Sequence, residues 1–302
     1  MTQPILKYQR LNGLQLAYFE WGSPQPQKPS LYFVHATGFH GRVWDAIVAA
    51  FGDYHVVALE QRGHGRSDKR PITTWRDFGD DQVAFLQALG LRNVIGIGHS
   101  MGAHGLIDAA AGTGACHSLL LLDPTVAAPE AYLPGGEGTA ELPQILSDDQ
   151  LHPAARRRRL FSSVDEMVEQ IRVKSSFPLF QPRILRDYCE YGLLPCEGGY
   201  ELACPPELEA RVYMSSRTNA GVYDSVRSLS IPATVMRAKL PDPAQPGDFS
   251  ASPTWPGLAG EFKHAKDIHL PECSHFIPMQ VPDLVIAELE ALITQWSQPS
   301  GA

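Results

Sequence analysis

Gly98-His99-Ser100-Met101-Gly102 is the segment of this chain best suited to chemistry. An apolar run at residues 93–98 precedes it and a helix-forming stretch at residues 101–111 follows. A serine on a sharp strand-to-helix turn is held in a strained conformation with its hydroxyl outward. Small residues two positions either side let strand and helix approach closely. Such a turn puts Ser100 at the carboxyl end of a strand and beside a helix N-terminus, where developing negative charge is favoured. The pentapeptide alone is a weak pattern, and a plain Gly-Ser turn would satisfy it; the strand before and helix after make it specific.

A serine hydroxyl needs a general base within hydrogen-bond reach. Among the 11 histidines, His275 stands out by place. It sits in Cys273-Ser274-His275-Phe276, after the last apolar run and just before the final helix. That is third in the chain order nucleophile, acid, histidine. The histidine in turn needs a carboxylate to hold its tautomer and stabilise the imidazolium. Three aspartates compete. Asp248 is the expected acid: it follows the apolar run 233–237 and precedes His275 by 27 residues (275 − 248), room for a helix, a strand and a short loop. Asp242 lies in the same loop, nearer the strand. Asp123 ends the apolar run 118–122 and would serve if the acid came from the earlier strand. The bland role for Asp242 and Asp248 is a solvated loop carboxylate, and for Asp123 a turn or cap.

Charge developing on a substrate carbonyl oxygen needs donors already in place. The backbone N–H of Met101 and one from the loop His35-Ala36-Thr37-Gly38-Phe39 are expected, with Thr37 as the second donor.

Elements must position these groups. Residues 5–11 and 14–21 alternate apolar and polar around Asn12-Gly13, a strong hairpin signal because both turn positions accept positive φ. Buried strands are expected at 30–35, 54–59, 93–98, 118–122, 233–237 and 265–270. Helices are expected at 42–51, 74–89, 101–111, near 255–262 and at 282–296. Strands alternating with helices predict βαβ units and a parallel sheet covered on both faces. From residue 124 to about 230 the alternation is lost. Loops rich in proline and glycine and helix-like stretches at 152–160, 164–174, 183–191 and 207–214 replace it, with no clear strand. The expected organisation is a sheet core at 1–124 and 231–302 with a helical cap at 125–230.

Four segments in order carry a resemblance: Phe33-Val34-His35-Ala36-Thr37-Gly38-Phe39; Leu59-Glu60-Gln61-Arg62-Gly63-His64-Gly65-Arg66-Ser67-Asp68; Gly98 to Gly102; and Ser274-His275-Phe276-Ile277-Pro278-Met279. Together they resemble the capped α/β-hydrolase superfamily over the chain outside the cap. The resemblance implies an α/β fold with a mostly parallel, doubly wound, eight-stranded sheet, a Ser-Asp/Glu-His triad, and a helical cap after the sixth strand. It carries the triad onto Ser100, Asp248 and His275, and the oxyanion donors onto Thr37 and Met101. The chain departs from the usual pattern in reading His35-Ala36 where His-Gly is common and Glu60 where aspartate is common. The loop after residue 238 is also longer and richer in proline. Serine rather than aspartate at the elbow argues against the haloalkane dehalogenase and epoxide hydrolase branches.

The rest of the sequence sets bounds. With 302 residues and 44% hydrophobic residues, the chain can bury a substantial core. A net charge of −8 argues against a nucleic-acid partner. Five cysteines without a C-x-x-C pair argue against a disulfide framework or zinc knuckle, and no histidine or carboxylate cluster has metal-ligand spacing. No secretory h-region or long apolar span is expected, so a cytoplasmic location follows by default. The four arginines at 156–159 read as a solvated helix face, with an anion site as the lesser reading. Arg62 and Asp68 read as pins of a turn, and His99 and His104 as structural. The expected activity is hydrolysis of a small carboxylic ester, thioester or lactone through an acyl-enzyme, without cofactor or metal, on a small-molecule substrate. Carbon–carbon hydrolysis of a diketone-like substrate and non-catalytic reception of a small molecule are the alternatives. Oligomeric state is left open.

Overall fold

Alternating side chains either side of Asn12-Gly13 do form the opening hairpin, β1 (Ile5–Leu11) and β2 (Leu14–Trp21), with both turn residues at positive φ, 49° and 74°. The structure is a computed structural model that describes residues 3–139, 152–245 and 248–298. The strands that follow are β3 (Ser30–Val34), β4 (Val56–Leu59), β5 (Val94–His99), β6 (Cys116–Leu122), β7 (Leu160–Phe161), β8 (Leu193–Cys196), β9 (Gly199–Leu202), β10 (Ala233–Arg237) and β11 (Ala265–His269). The helices are α1 (Asp45–Val48), α2 (Arg76–Ala88), α3 (Met101–Thr113), α4 (Val164–Ile171), α5 (Pro182–Tyr191), α6 (Pro206–Met214), α7 (Val222–Ser228), α8 (Ile277–Gln280) and α9 (Pro282–Trp296).

Eight strands make one sheet in the order β1-β2-β4-β3-β5-β6-β10-β11. The hairpin is antiparallel and joins β4 antiparallel; every other pairing is parallel. β3, β4, β5 and β10 are buried at every position, as strands covered on both faces must be. One face packs Phe33, Trp44, Ile95, Leu120, Val285 and Leu289, which brings α1 and α9 against it. The other packs Tyr32 and Leu121 of the sheet against Phe85, Leu106, Ile107 and Val226 from α2, α3 and α7. Burying each such side chain contributes about 1.5–3 kcal/mol. The sheet expectation is met.

Residues 123–232 lie between β6 and β10 and depart from the purely helical expectation. β7, β9 and β8 form a second, antiparallel, three-stranded sheet there. Strands of two and four residues, one interrupted by Pro195, are too short to show period-two alternation. The expected helix at 152–160 shrinks to one tight turn, Pro153–Arg156, then runs extended. The arginines are therefore not a helix face. Arg157 pairs with Glu209, Arg158 with Glu166, and Arg159 with Glu201. Likewise the helix near 255–262 is only the turn Leu258–Glu261, preceded by Pro256 and Gly257 and containing Gly260, which resist longer helix. The insertion is tied to the core at α5: His40 Nε2–H donates to the Tyr188 carbonyl at 3.0 Å, and the Arg42 guanidinium sits 3.9 Å over the Tyr191 ring. Among the described residues, no helix is long and apolar enough to cross a membrane.

Candidate active site

β5 ends at His99 and α3 begins at Met101, which leaves Ser100 alone on the turn with φ 56° and ψ −119°. A non-glycine residue there stores on the order of 1–3 kcal/mol of strain, held only because its surroundings over-determine it. Ser100 N–H donates to the Leu122 carbonyl at 3.0 Å. Its own carbonyl accepts from His104 N–H at 3.1 Å and Thr125 N–H at 3.2 Å. The flanking glycines are required by space: a Cβ on Gly98 would lie 2.5 Å from Ala103 Cα, and one on Gly102 2.5 Å from the carbonyl oxygens of Val34 and His35.

His275 arrives from the far end of the sheet. Its N–H donates to the Ser250 carbonyl at 2.8 Å, and its carbonyl accepts from His99 Nε2 at 2.8 Å. Burial pushes His99 down to about 3, so the ring that braces His275 stays neutral. His275 Nε2 stands 2.9 Å from Ser100 Oγ. Its Nδ1 stands 2.6 Å from Asp123 Oδ2. Asp123 is fully buried, at the end of β6, with φ 46°. Its Oδ1 accepts from Ala238 N–H at 3.1 Å and from the hydroxyls of Ser252 and Thr254. Those donors replace the water that burial removes.

The acid expectation on Asp248 is thus corrected. Asp248 Oδ2 accepts from Lys239 Nζ at 2.9 Å, and Oδ1 from Ser250 N–H and Oγ at 2.9 and 2.6 Å. The hydrogen bonds from Ser250, then Lys239, hold this carboxyl down at about 2. Asp242 caps its own loop through Ala244 N–H at 2.9 Å. The physical reason is strand order. β6 lies between β5 and β10, so its carboxyl end adjoins Ser100 directly. The long loop after β10 folds back and delivers hydroxyls to Asp123 instead of a carboxylate to His275. Residues 246 and 247 of that loop lie outside the described residues. The sequence signal for Asp123 was its place immediately at a strand end, whereas Asp248 stands well beyond one.

Thr37 and Met101 are neighbours, with Thr37 Oγ1–H directed at Met101 Sδ, 3.4 Å away. Met101 opens α3, so its amide has no partner within the helix. The Thr37 turn is closed by Phe39 N–H on the Ala36 carbonyl at 3.1 Å. Positive φ falls on Gly38, at 78°, and not on Ala36, so alanine costs nothing there. A Cβ on Gly38 would lie 2.8 Å from Glu209 Oε1, so α6 packs directly over this turn. Glu60 accepts from Arg66 N–H and Nη1 at 2.5 and 2.9 Å, although burial raises its carboxyl. Arg62 pins the neighbouring turn by two bonds to Asp81, and Asp68 by accepting Gln15 N–H at 2.8 Å.

Of the insertion's aromatic residues, Phe180 meets Phe39 and Phe276, Tyr188 meets Phe39, and Phe177 packs behind them against Phe180 and Tyr188. Phe39 and Tyr188 centroids are 4.9 Å apart, and Phe180 and Phe276 5.3 Å. Phe276 in turn meets the His275 ring at 5.4 Å. The sequence reading missed Thr125, Ser252 and Thr254, short polar side chains whose spacing carries no pattern.

The profile described as the alpha/beta hydrolase family matches residues 31–288. The chain is 35% identical over 96 residues to a non-heme chloroperoxidase of Burkholderia pyrrocinia, covering 30% of this chain and 33% of that protein. It is 34% identical over 86 residues to the 2-(acetamidomethylene)succinate hydrolase of Mesorhizobium japonicum, covering 28% and 31%. The matches span about a third of the length of these curated relatives. Among solved structures, E-2-(acetamidomethylene)succinate hydrolase superposes with a TM-score of 0.72 at 19% identity, covering 96% of this chain and 99% of that one, a likeness of fold.

Proposed function

Because this chain belongs to the alpha/beta hydrolase family, we propose that it hydrolyses a small carboxylic ester, thioester or lactone through an acyl-enzyme on Ser100. The observation that carries the reading is the continuous chain from Ser100 Oγ to His275 Nε2, 2.9 Å, and from His275 Nδ1 to Asp123 Oδ2, 2.6 Å. Nδ1–H donates to the carboxylate, which leaves Nε2 free to take the serine proton. Ser100 Oγ then attacks the carbonyl carbon. The amides of Thr37 and Met101 receive the charge on the carbonyl oxygen. Collapse expels the alcohol, which takes its proton from His275. Water, deprotonated by His275, adds to the acyl carbon and releases the acid and Ser100. Apart from the substrate and the attacking water, each of these steps uses side chains and amides of this chain. Residues 1–124 and 231–302 serve as the catalytic core, and residues 125–230 as a cap that holds the substrate's apolar part against Phe39, Phe180 and Tyr188. The reading includes a cytoplasmic setting, in keeping with five cysteines that lack disulfide spacing.

The test is Ser100→Ala against wild type on p-nitrophenyl esters of graded chain length, a lactone and a diketone, with a fluorophosphonate probe alongside. Ester turnover and probe labelling that vanish together in Ser100→Ala support the reading. Turnover confined to the diketone would place the reaction at a carbon–carbon bond. Absence of both turnover and labelling in the wild type would make the protein a receptor.

A further inference from the structure

Ser100 has a neighbour that the proton chain does not use. Thr125 Oγ1 lies 3.0 Å from Ser100 Oγ. We propose that Thr125 is a positioning residue for the Ser100 hydroxyl, so that one turn, Asp123-Pro124-Thr125, orients both partners of the proton transfer. The proposal rests on the reading of Ser100, His275 and Asp123 given above.

Hydrogen-bond inventory sets the direction of the contact. A serine hydroxyl has one proton and two lone pairs. In the reactive arrangement that proton points at His275 Nε2, because Nδ1 keeps its own proton on Asp123. Ser100 Oγ is then left only as an acceptor, and Thr125 donates to it. A serine side chain has three staggered wells for its oxygen. A donor on one side and an acceptor on the other select a single well, the one aimed at His275.

A donor selects a well only if it is itself fixed, and Thr125 is fixed from several directions. Its N–H donates to the Ser100 carbonyl at 3.2 Å, so nucleophile and donor share a backbone link. Its carbonyl accepts from His104 Nδ1–H at 2.9 Å. His104 Nε2 accepts from Asn219 Nδ2 at 3.0 Å. The same amide nitrogen donates to Asp108 Oδ2 at 2.7 Å, and Ser225 Oγ donates to Asp108 Oδ1 at 2.6 Å. The Trp75 ring meets His104 edge-on at 5.0 Å. His104, Asp108, Asn219 and Ser225 are all buried, so the chain of bonds is a rigid mount joining α3 to α7. Threonine's branched Cβ adds stiffness at χ1. Placing the acid at the end of β6 is what allows this: the residue two beyond it falls beside the nucleophile.

The test compares Thr125→Val, Thr125→Ser and Thr125→Ala with wild type and Ser100→Ala, reading ester kinetics, the rate of fluorophosphonate labelling and thermal unfolding. Valine keeps the shape and every backbone bond but removes the donor. Losing one neutral hydrogen bond predicts a fall of roughly threefold to tenfold in kcat and labelling rate. KM and the pH midpoint of kcat/KM stay unchanged, since the residue neither binds substrate nor moves a proton. Thr125→Ser is expected within about twofold of wild type, and Thr125→Ala falls with Thr125→Val in a side chain too small to clash. Wild-type rates in Thr125→Val, or equal losses in Thr125→Ser, overturn the proposal while Ser100→Ala remains inactive. Activity surviving in Ser100→Ala overturns the nucleophile reading and takes this proposal with it.

Discussion

Asp123 and Asp248 put the same functional group into opposite surroundings. Asp123 is sealed beneath His275 and held by Ser252, Thr254 and the Ala238 amide. Asp248 is partly exposed and committed to Lys239 and Ser250. Both carboxylate oxygens of Asp123 act as acceptors, so Asn must turn its NH2 either on the Ala238, Ser252 and Thr254 donors or on His275 Nδ1, and in the second case the imidazole loses its required tautomer. A fall of roughly ten-thousandfold in kcat is expected. Asp248→Asn is expected to cost less than about tenfold, because it only loosens the Ser250 segment whose carbonyl binds His275 N–H. Steady-state kinetics on a p-nitrophenyl ester separate the two. Equal losses would mean that the acid has been misassigned.

At the scale of elements, the turn between β5 and α3 works because β3, β5 and α3 converge on positions without side chains. Gly102 faces two carbonyl oxygens and Gly98 faces a helix Cα, and backbone cannot move aside as a flexible side chain can. Gly102→Ala is therefore expected to destabilise the fold by about 1–3 kcal/mol or more, the usual cost of overpacking. The denaturant midpoint reads this directly. Gly114→Ala offers the contrast: no atom lies within 4 Å of a Cβ there, and only its φ of 60° opposes the change. A Gly102→Ala protein as stable as wild type would refute the close approach. Most of these elements were legible in the sequence. The Asn12-Gly13 hairpin, β3 and α9 carry strong local signals: turn chemistry, an apolar run from Leu31 to Val34, a periodic stretch opened by Pro282. β7, β8 and β9 were not legible, because their identity comes from pairing with one another and hardly from their own residues.

At the scale of the molecule, the carboxyl end of the sheet is rich in buried neutral histidines. Burial pushes His40 and His99 down to about 3 and His64 to about 4, and takes His35 well below the ordinary value near 6.5. In the unfolded chain each titrates near that ordinary value. Between about pH 6.5 and 4 the unfolded state therefore binds more protons than the native one, so stability must fall as pH is lowered. Each histidine contributes a slope of up to about 1.4 kcal/mol per pH unit. Urea midpoints measured from pH 8 to pH 4 should stay flat above about pH 7 and drop steeply below 6.5. A flat profile down to pH 4.5 would show that these rings are hydrated and titrate normally.

What the sequence determined by itself was local. An apolar run followed by Gly-x-Ser-x-Gly and a helix can only place Ser100 on a tight turn, and a histidine between the last strand run and the last helix can only reach the same edge of a parallel sheet. The partner of that histidine was a different kind of question. Asp123, Asp242 and Asp248 all follow strands that end at the carboxyl edge, and the local signals conflict: spacing to His275 favours Asp248, while a place directly at a strand end favours Asp123. Strand order ranks them, since β6 stands next to β5 and so brings Asp123 beneath His275 and Thr125 beside Ser100. Adjacency in a sheet is set by which faces the helices cover and which strands pair, and those are properties of the whole folded chain.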